Sequence, residues 1–223
     1  MNNYRKIFID CGAHQLEGIS QFVNDGIVSK DFEVYMFEPN SACGTFNRVK
    51  NSKLLENILV NFHEKAVWDE DTFLNFNQEH FKISRSGSPS DGKSDRDGWG
   101  SSVAGEMQHG GYLTQIKVQA FDFSNFISRF NDNDLIICKL DVEGSEYRVL
   151  RRLISTGEIK KINSLYVEFH AHFKRDESSE STRSLISDIV SSGVQLFIGD
   201  ALASWQPVTV WDDVSKIHIR DSK

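Results

Sequence analysis

The sequence predicts a doubly wound α/β domain with a mostly parallel sheet and helices on both faces. Three observations carry this expectation. Short apolar runs alternate with helical patterns along most of the chain. One run, "DLIICKLD" (134–141), has a continuous apolar stretch over 135–138, as strands buried on both faces of a parallel sheet do. Asp10, Glu38, Asp141 and Glu168 each fall at or next to the end of such a run, and open α/β sheets bind ligands beyond the carboxyl ends of their strands.

Taken in order, "KIFID" reads as a strand ending at Asp10, "CGAH" as a turn, and "LEGISQFVNDGIV" as a helix with Ile19, Phe22 and Val23 on one face. "FEVYMFEPN" repeats the strand pattern and is broken by Pro39; "SACGTFNRVKNS" reads as a helix with Ser41 as its cap. "NILVNFHEKAV" is expected to be a third strand running into Trp68, and "TFLNFN" another extended piece. Between Ser84 and Gly111 half of the residues are Gly or Ser, which marks a flexible loop or lid. "QIKVQAFDFSNFISRF" passes from strand to short helix, and "EYRVLRRLIST" is an amphipathic helix stopped near Gly157. "INSLYVEFH" is a strand, "SESTRSLISDIVSSG" a helix, and "VQLFIGD" with "PVTVWDD" two closing strands. Residues 1–223 are expected to form one domain.

Composition narrows the function. With 39% hydrophobic and 26% charged residues the chain reads as an ordinary globular protein. A net charge of −7 argues against a nucleic-acid partner, whose phosphates call for clustered Lys and Arg. No apolar run reaches membrane-spanning length and the N-terminus has no signal-peptide pattern, so a cytoplasmic location is expected. Cys11, Cys43 and Cys138 are odd in number and widely spaced, fitting reduced thiols rather than a disulfide framework or zinc site. Nothing in the sequence sets an oligomeric state.

A glycine turn after the first strand lets a ligand approach the backbone, and an acidic residue ending the second can accept both hydroxyls of a ribose. The dinucleotide pattern G-x-G-x-x-G is absent, since "DCGAHQLEG" offers only Gly12 and Gly18. A nucleoside cofactor without phosphates, S-adenosylmethionine, fits better than NAD. The same residues also suit a plain tight turn and a solvated glutamate.

The segments "IFIDCGAH", "YMFEPN", "GSSV", "LIICKLDVEGSEYRVL" and "LYVEFH", in this order and spacing, resemble the FkbM-type methyltransferases. The resemblance runs from about Lys6 to His170. It implies a Rossmann-like class I methyltransferase fold with a seven-stranded sheet, and O-methylation from S-adenosylmethionine. It assigns the methionine moiety to Asp10, Gly12, Ala13 and His14, the ribose to Glu38, the shape of the following turn to Pro39 and Asn40, and the adenine border to Ala66, Val67 and Trp68. It also places Ser101 and Ser102 near the active site, with Trp99 in the lid as a stacking surface. The family often has Gly where Leu16 stands, a departure for which Gly18 is expected to compensate.

Methyl transfer to an alcohol needs an in-line geometry and a destination for a weakly acidic proton. "LDVEGSEY" concentrates carboxylates where such a group is wanted. Asp141 is expected to face the acceptor, with His170 as candidate base and Lys139 and Glu168 as further catalytic groups. Lys139 can either keep the acidic cluster ionised or point at the substrate. Asp141, Glu143 and Glu168 could also hold a divalent cation such as magnesium. Glu146 reads as a carboxylate favouring the next helix's N-terminus. His170 and His172 share a face if the strand continues. His63, His80, His109 and His218 are given no role. The acceptor implied is a hydroxyl on a sugar, in a glycan or glycosylated metabolite, a deoxyhexose such as rhamnose among them. The rival readings are an NAD- or nucleotide-sugar-linked oxidoreductase and a noncatalytic domain with the same fold.

Overall fold

The computed structural model describes residues 4–80, 101–103, 112–170, 177–200 and 204–208. Its centre is a seven-stranded sheet in the order β10-β9-β8-β7-β1-β2-β3. These strands are β1 (Lys6–Cys11), β2 (Phe32–Phe37), β3 (Leu59–His63), β7 (Leu135–Leu140), β8 (Ser164–Val167), β9 (Gln195–Asp200) and β10 (Ser204–Val208). All neighbours pair in parallel except β10, which runs antiparallel to β9. The chain builds outward from β1 through β2 to β3, then returns to the other side of β1 with β7. Loops leaving β1 and β7 therefore diverge and open a crevice at their carboxyl ends.

Alternation along the strands splits the core in two. Ile7, Ile9, Cys11, Ile136, Cys138 and Leu140 face one side, against α3 (Phe123–Ile127), α4 (Glu146–Thr156) and α5 (Ser179–Ser191). Phe8, Val34, Met36 and Ile137 face the other, against Ile19 and Phe22 of α1 (Glu17–Asn24) and Val49 of α2 (Thr45–Asn51). The helices follow local rules. Asp122 accepts the amides of Ser124 and Asn125 to start α3, the Ser178 hydroxyl accepts the Ser181 amide to start α5, and Gly157 ends α4 at φ 81°.

Several expectations need correction. The expected third strand is two: after β3 the chain turns at Glu64 and Lys65, and β4 (Ala66–Trp68) leaves the main sheet. It pairs with β6 (Tyr112–Asp122), which also carries β5 (Thr72–His80) in antiparallel register, making a second three-stranded sheet. "TFLNFN" is thus part of β5. Ser41 caps nothing: Asn40 caps a single 3-10 turn at Ser41–Cys43 through its side chain, and α2 starts after Gly44 at φ 64°. The last described strand begins at Ser204, ahead of "PVTVWDD". β8 ends at Val167, so His170 lies beyond it, and His172 and Trp99 fall outside the described residues, as does most of 84–111. Cys11, Cys43 and Cys138 are buried, and none of the three forms a disulfide. Among the described residues no helix is long and apolar enough to cross a membrane.

Candidate active site

The loop after β1 is shaped by backbone positions that few side chains tolerate. Gly12 sits at φ 82°, and a Cβ there would stand 1.8 Å from the carbonyl oxygen of Asp141. The Gly12 and Ala13 amides donate to Phe37 O at the end of β2, at 3.0 and 3.1 Å. His14 (φ 38°) turns its amide toward Glu38 Oε2 at 2.9 Å, while Asn40 N donates to Glu38 Oε1 at 2.8 Å. Burial pushes the Glu38 carboxyl up, and these two amides pull it back. Leu16 caps α1 at φ 79°, in the left-handed region where glycine is the cheap residue. Leu16 stays there because its side chain is buried in the α1-side core.

Beneath this loop lies a buried ion knot. Asp10 and Lys139 are directly paired across β1 and β7. The Lys139 ammonium, 2% exposed, donates to Gly12 O at 3.0 Å and stands 3.2 Å from Asp10 Oδ1 and 3.1 Å from Asp141 Oδ2. Burial alone would lower its pKa, but Asp10 and Asp141 outweigh that and raise it. Asp10 Oδ2 also accepts the Ile19 amide in the first turn of α1. Gly18 makes room for the lysine stem: a Cβ there would come within 2.8 Å of Lys139 Cδ. Gly18 thus serves the packing of Lys139 and Asp10.

At the ends of β7 and β8 four carboxylates surround one imidazole. His170 is buried; its Nδ1 lies 3.0 Å from Glu146 Oε1, and its Nε2 lies 3.5 Å from Glu143 Oε2, 3.5 Å from Glu168 Oε1 and 4.0 Å from Asp141 Oδ1. Burial by itself would push its pKa down, but Glu143, Glu146 and Glu168 together hold it well above the usual value. That direction favours the protonated ring, a donor at both nitrogens. A protonated ring cannot accept a proton, which weighs against the base role expected of His170.

The chain matches the family described as "Methyltransferase FkbM domain" over residues 10–191. It belongs to the FkbM methyltransferases. No curated protein and no solved structure matches it. Family membership implies S-adenosylmethionine as the methyl donor in general terms, and the residues present fit that group. Gly12 leaves no side chain over the loop, and Glu38 spends one hydrogen bond per oxygen on the protein while a carboxylate offers about four acceptor sites.

In this methyltransferase Asp10, Gly12, Ala13, His14 and Glu38 converge around the β1 loop, and Lys139, Asp141, Glu143, Glu168 and His170 meet at its far wall. Pro39 is half-buried in the turn after Glu38. The expected adenine border lies in β4 and divides. Val67 points into the main core, whereas Ala66 and Trp68 pack in the core of the second sheet, the Trp68 ring lying 4.6 Å under the Arg148 guanidinium. Ser102 exchanges backbone hydrogen bonds with Asn77, and Ser101 accepts from Asn40 Nδ2 at 3.4 Å. For the cation, the compact group is Asp141, Glu168 and His170 rather than Asp141, Glu143 and Glu168.

Two residues escaped the sequence reading. Gln78, buried in β5, donates to Asn40 Oδ1 at 2.6 Å and ties the second sheet to the Glu38 turn. Glu146, read as a helix-start carboxylate, is 0% exposed and sits behind His170. Gln78 left no sequence signal. Glu146 left one, its position in "LDVEGSEY", which local helix chemistry explained away.

Proposed function

We propose that this chain is an S-adenosylmethionine-dependent O-methyltransferase whose acceptor is a sugar hydroxyl of a glycan or glycosylated metabolite, a deoxyhexose such as rhamnose being one candidate. The framework assigned is the doubly wound, Rossmann-like class I fold, supported by the reversal of strand order between β1 and β7 and by core on both sheet faces. A single domain acting in the cytoplasm belongs to the same proposal; three buried cysteines outside any disulfide fit a reducing compartment.

One observation carries the reading. The Gly12 loop contacts the backbone of Asp141 directly and is bound to its side chain through Lys139, so a donor seated on that loop lies against the acidic rim. Glu38 accepts ribose hydroxyls on the lone pairs that the His14 and Asn40 amides leave. Bound S-adenosylmethionine supplies a sulfonium methyl, whose C–S bond breaks as the acceptor's O–C bond forms. Asp141, fixed by Lys139, orients the acceptor hydroxyl and takes its proton, with Glu168 beside it. His170 lies beside both, its Nε2 3.5 Å from Glu168 Oε1 and 4.0 Å from Asp141 Oδ1. No step is assigned to a divalent cation.

Calorimetric titration with S-adenosylhomocysteine tests the donor half, with NAD as comparison and magnesium present or absent. Binding of S-adenosylhomocysteine alone, unchanged by magnesium, is expected. Binding of NAD instead would move the chain to the oxidoreductases, and silence toward both would leave a noncatalytic domain.

A further inference from the structure

We propose that Glu146 is the positioning residue of the acidic rim: it holds His170 by Nδ1 and the Val142–Gly144 loop by its amides, so that Nε2 is presented among Asp141, Glu143 and Glu168. That this rim is catalytic rests on the function proposed above; the geometry of the clamp does not.

A glutamate serving only the positive end of a helix is exposed and needs no partner outside its own first turn. Glu146 is different on both counts. It is fully buried at the start of α4, and its oxygens reach backwards and across the fold. Oε1 accepts the Val142 amide at 3.0 Å and the Gly144 amide at 3.2 Å, and Oε2 accepts Gly144 again at 3.0 Å. Its remaining partner, His170 Nδ1 at 3.0 Å, comes from beyond β8. An ionised carboxylate only accepts, so Nδ1 must carry a hydrogen and Nε2 is the ring atom left for the rim.

The loop needs this support. Glu143 and Gly144 both sit at positive φ, 52° and 97°, and the first is costly for a residue with a side chain. Capturing the amides on either side of Glu143 offsets that cost and fixes the direction of Glu143. The same carboxylate sets the ring. Removing Glu146 would release two of the walls around Nε2 together.

The test uses the full chain labelled with 15N-histidine, the His170 signals being assigned by their loss in His170→Gln. Wild type is expected to show a hydrogen-bonded Nδ1–H signal far downfield and slow to exchange. Glu146→Ala, which removes the acceptor, is expected to lose it. Glu146→Asp is the second variant. Asp serves a helix N-terminus as well as Glu but is one methylene too short to reach the ring, so the signal is expected to be lost there too. Retention of the wild-type signal in either variant overturns the proposal, since a role confined to helix charge predicts that result for Asp. If wild type itself fails to bind S-adenosylhomocysteine, the proposed function falls while the histidine signals still judge the clamp.

Discussion

Replacing Lys139 with methionine isolates the charge at the heart of the site. Methionine is close in volume to the lysine stem and keeps its packing over Gly18, so the change removes little besides the ammonium. Asp10, 0% exposed, then loses its balancing cation. A buried charge deprived of its partner costs about 3–5 kcal/mol. Asp10 can escape by binding a proton: burial already pushes its carboxyl up, and Lys139 is the strongest influence pulling it back. Holding a carboxyl neutral at pH 7 against an unfolded pKa near 4 costs about 4 kcal/mol, and about 1.5 kcal/mol at pH 5. Both routes give about 4 kcal/mol at pH 7. The sign follows from protons: folded K139M binds one that the unfolded chain does not, so its stability falls as pH rises. Urea denaturation of wild type and K139M at pH 5 and pH 7 reads this directly. The double variant Asp10→Asn with Lys139→Met removes both charges and is expected to recover at least half of the loss. A deficit under about 1 kcal/mol at pH 7, or one equal at the two pH values, would refute the reasoning.

Three other predictions follow from the same geometry. Gly12→Ala forces a methyl against the Asp141 carbonyl at a positive φ and is expected to cost more than about 3 kcal/mol by thermal or urea unfolding. Glu38→Gln keeps the size but places an NH2 where an amide now donates, so S-adenosylhomocysteine is expected to bind about 10- to 100-fold more weakly by calorimetry. Asp134 is buried, which pushes its carboxyl up, but the Arg5 and Asn131 amides and the Arg5 guanidinium outweigh this and hold it below the usual range. Its contribution is present above pH ~4 and lost as pH falls below that. Asp134→Asn is expected to cost about 2 kcal/mol at pH 7, with the deficit closing in acid denaturation profiles.

The parallel core was legible because each of its strands carries its own signal: apolar "KIFID", "FEVYMF" and "LIICKL" are separated by helices with a clear buried face. Their carboxyl ends were legible for the same reason, and Asp10, Glu38, Asp141 and Glu168 lie there. The second sheet was not. β4 spans three residues after a break at Glu64 and Lys65, and its partner β6 is more than forty residues away, a pairing no local period encodes. Side-chain partners were legible only in register. Asp10 and Lys139 end adjacent strands, whereas Gln78 reaching Asn40 and Glu146 reaching His170 are long-range contacts of residues whose local settings suggest ordinary roles. The surroundings of His170 were not legible either, because a sequence shows an imidazole without the carboxylates that raise its pKa.

The contact between Gly12 and the Asp141 carbonyl has an evolutionary reading. The proposed donor loop and the end of β7 at Asp141 are packed together and joined by Lys139, so a change in one is felt by the other. Homologues that changed their acceptor by altering this junction would forfeit the donor. Diversification is therefore channelled to positions with no share in it, and the surfaces bordering Glu168 and Ser101 are where relatives with different acceptors should diverge first.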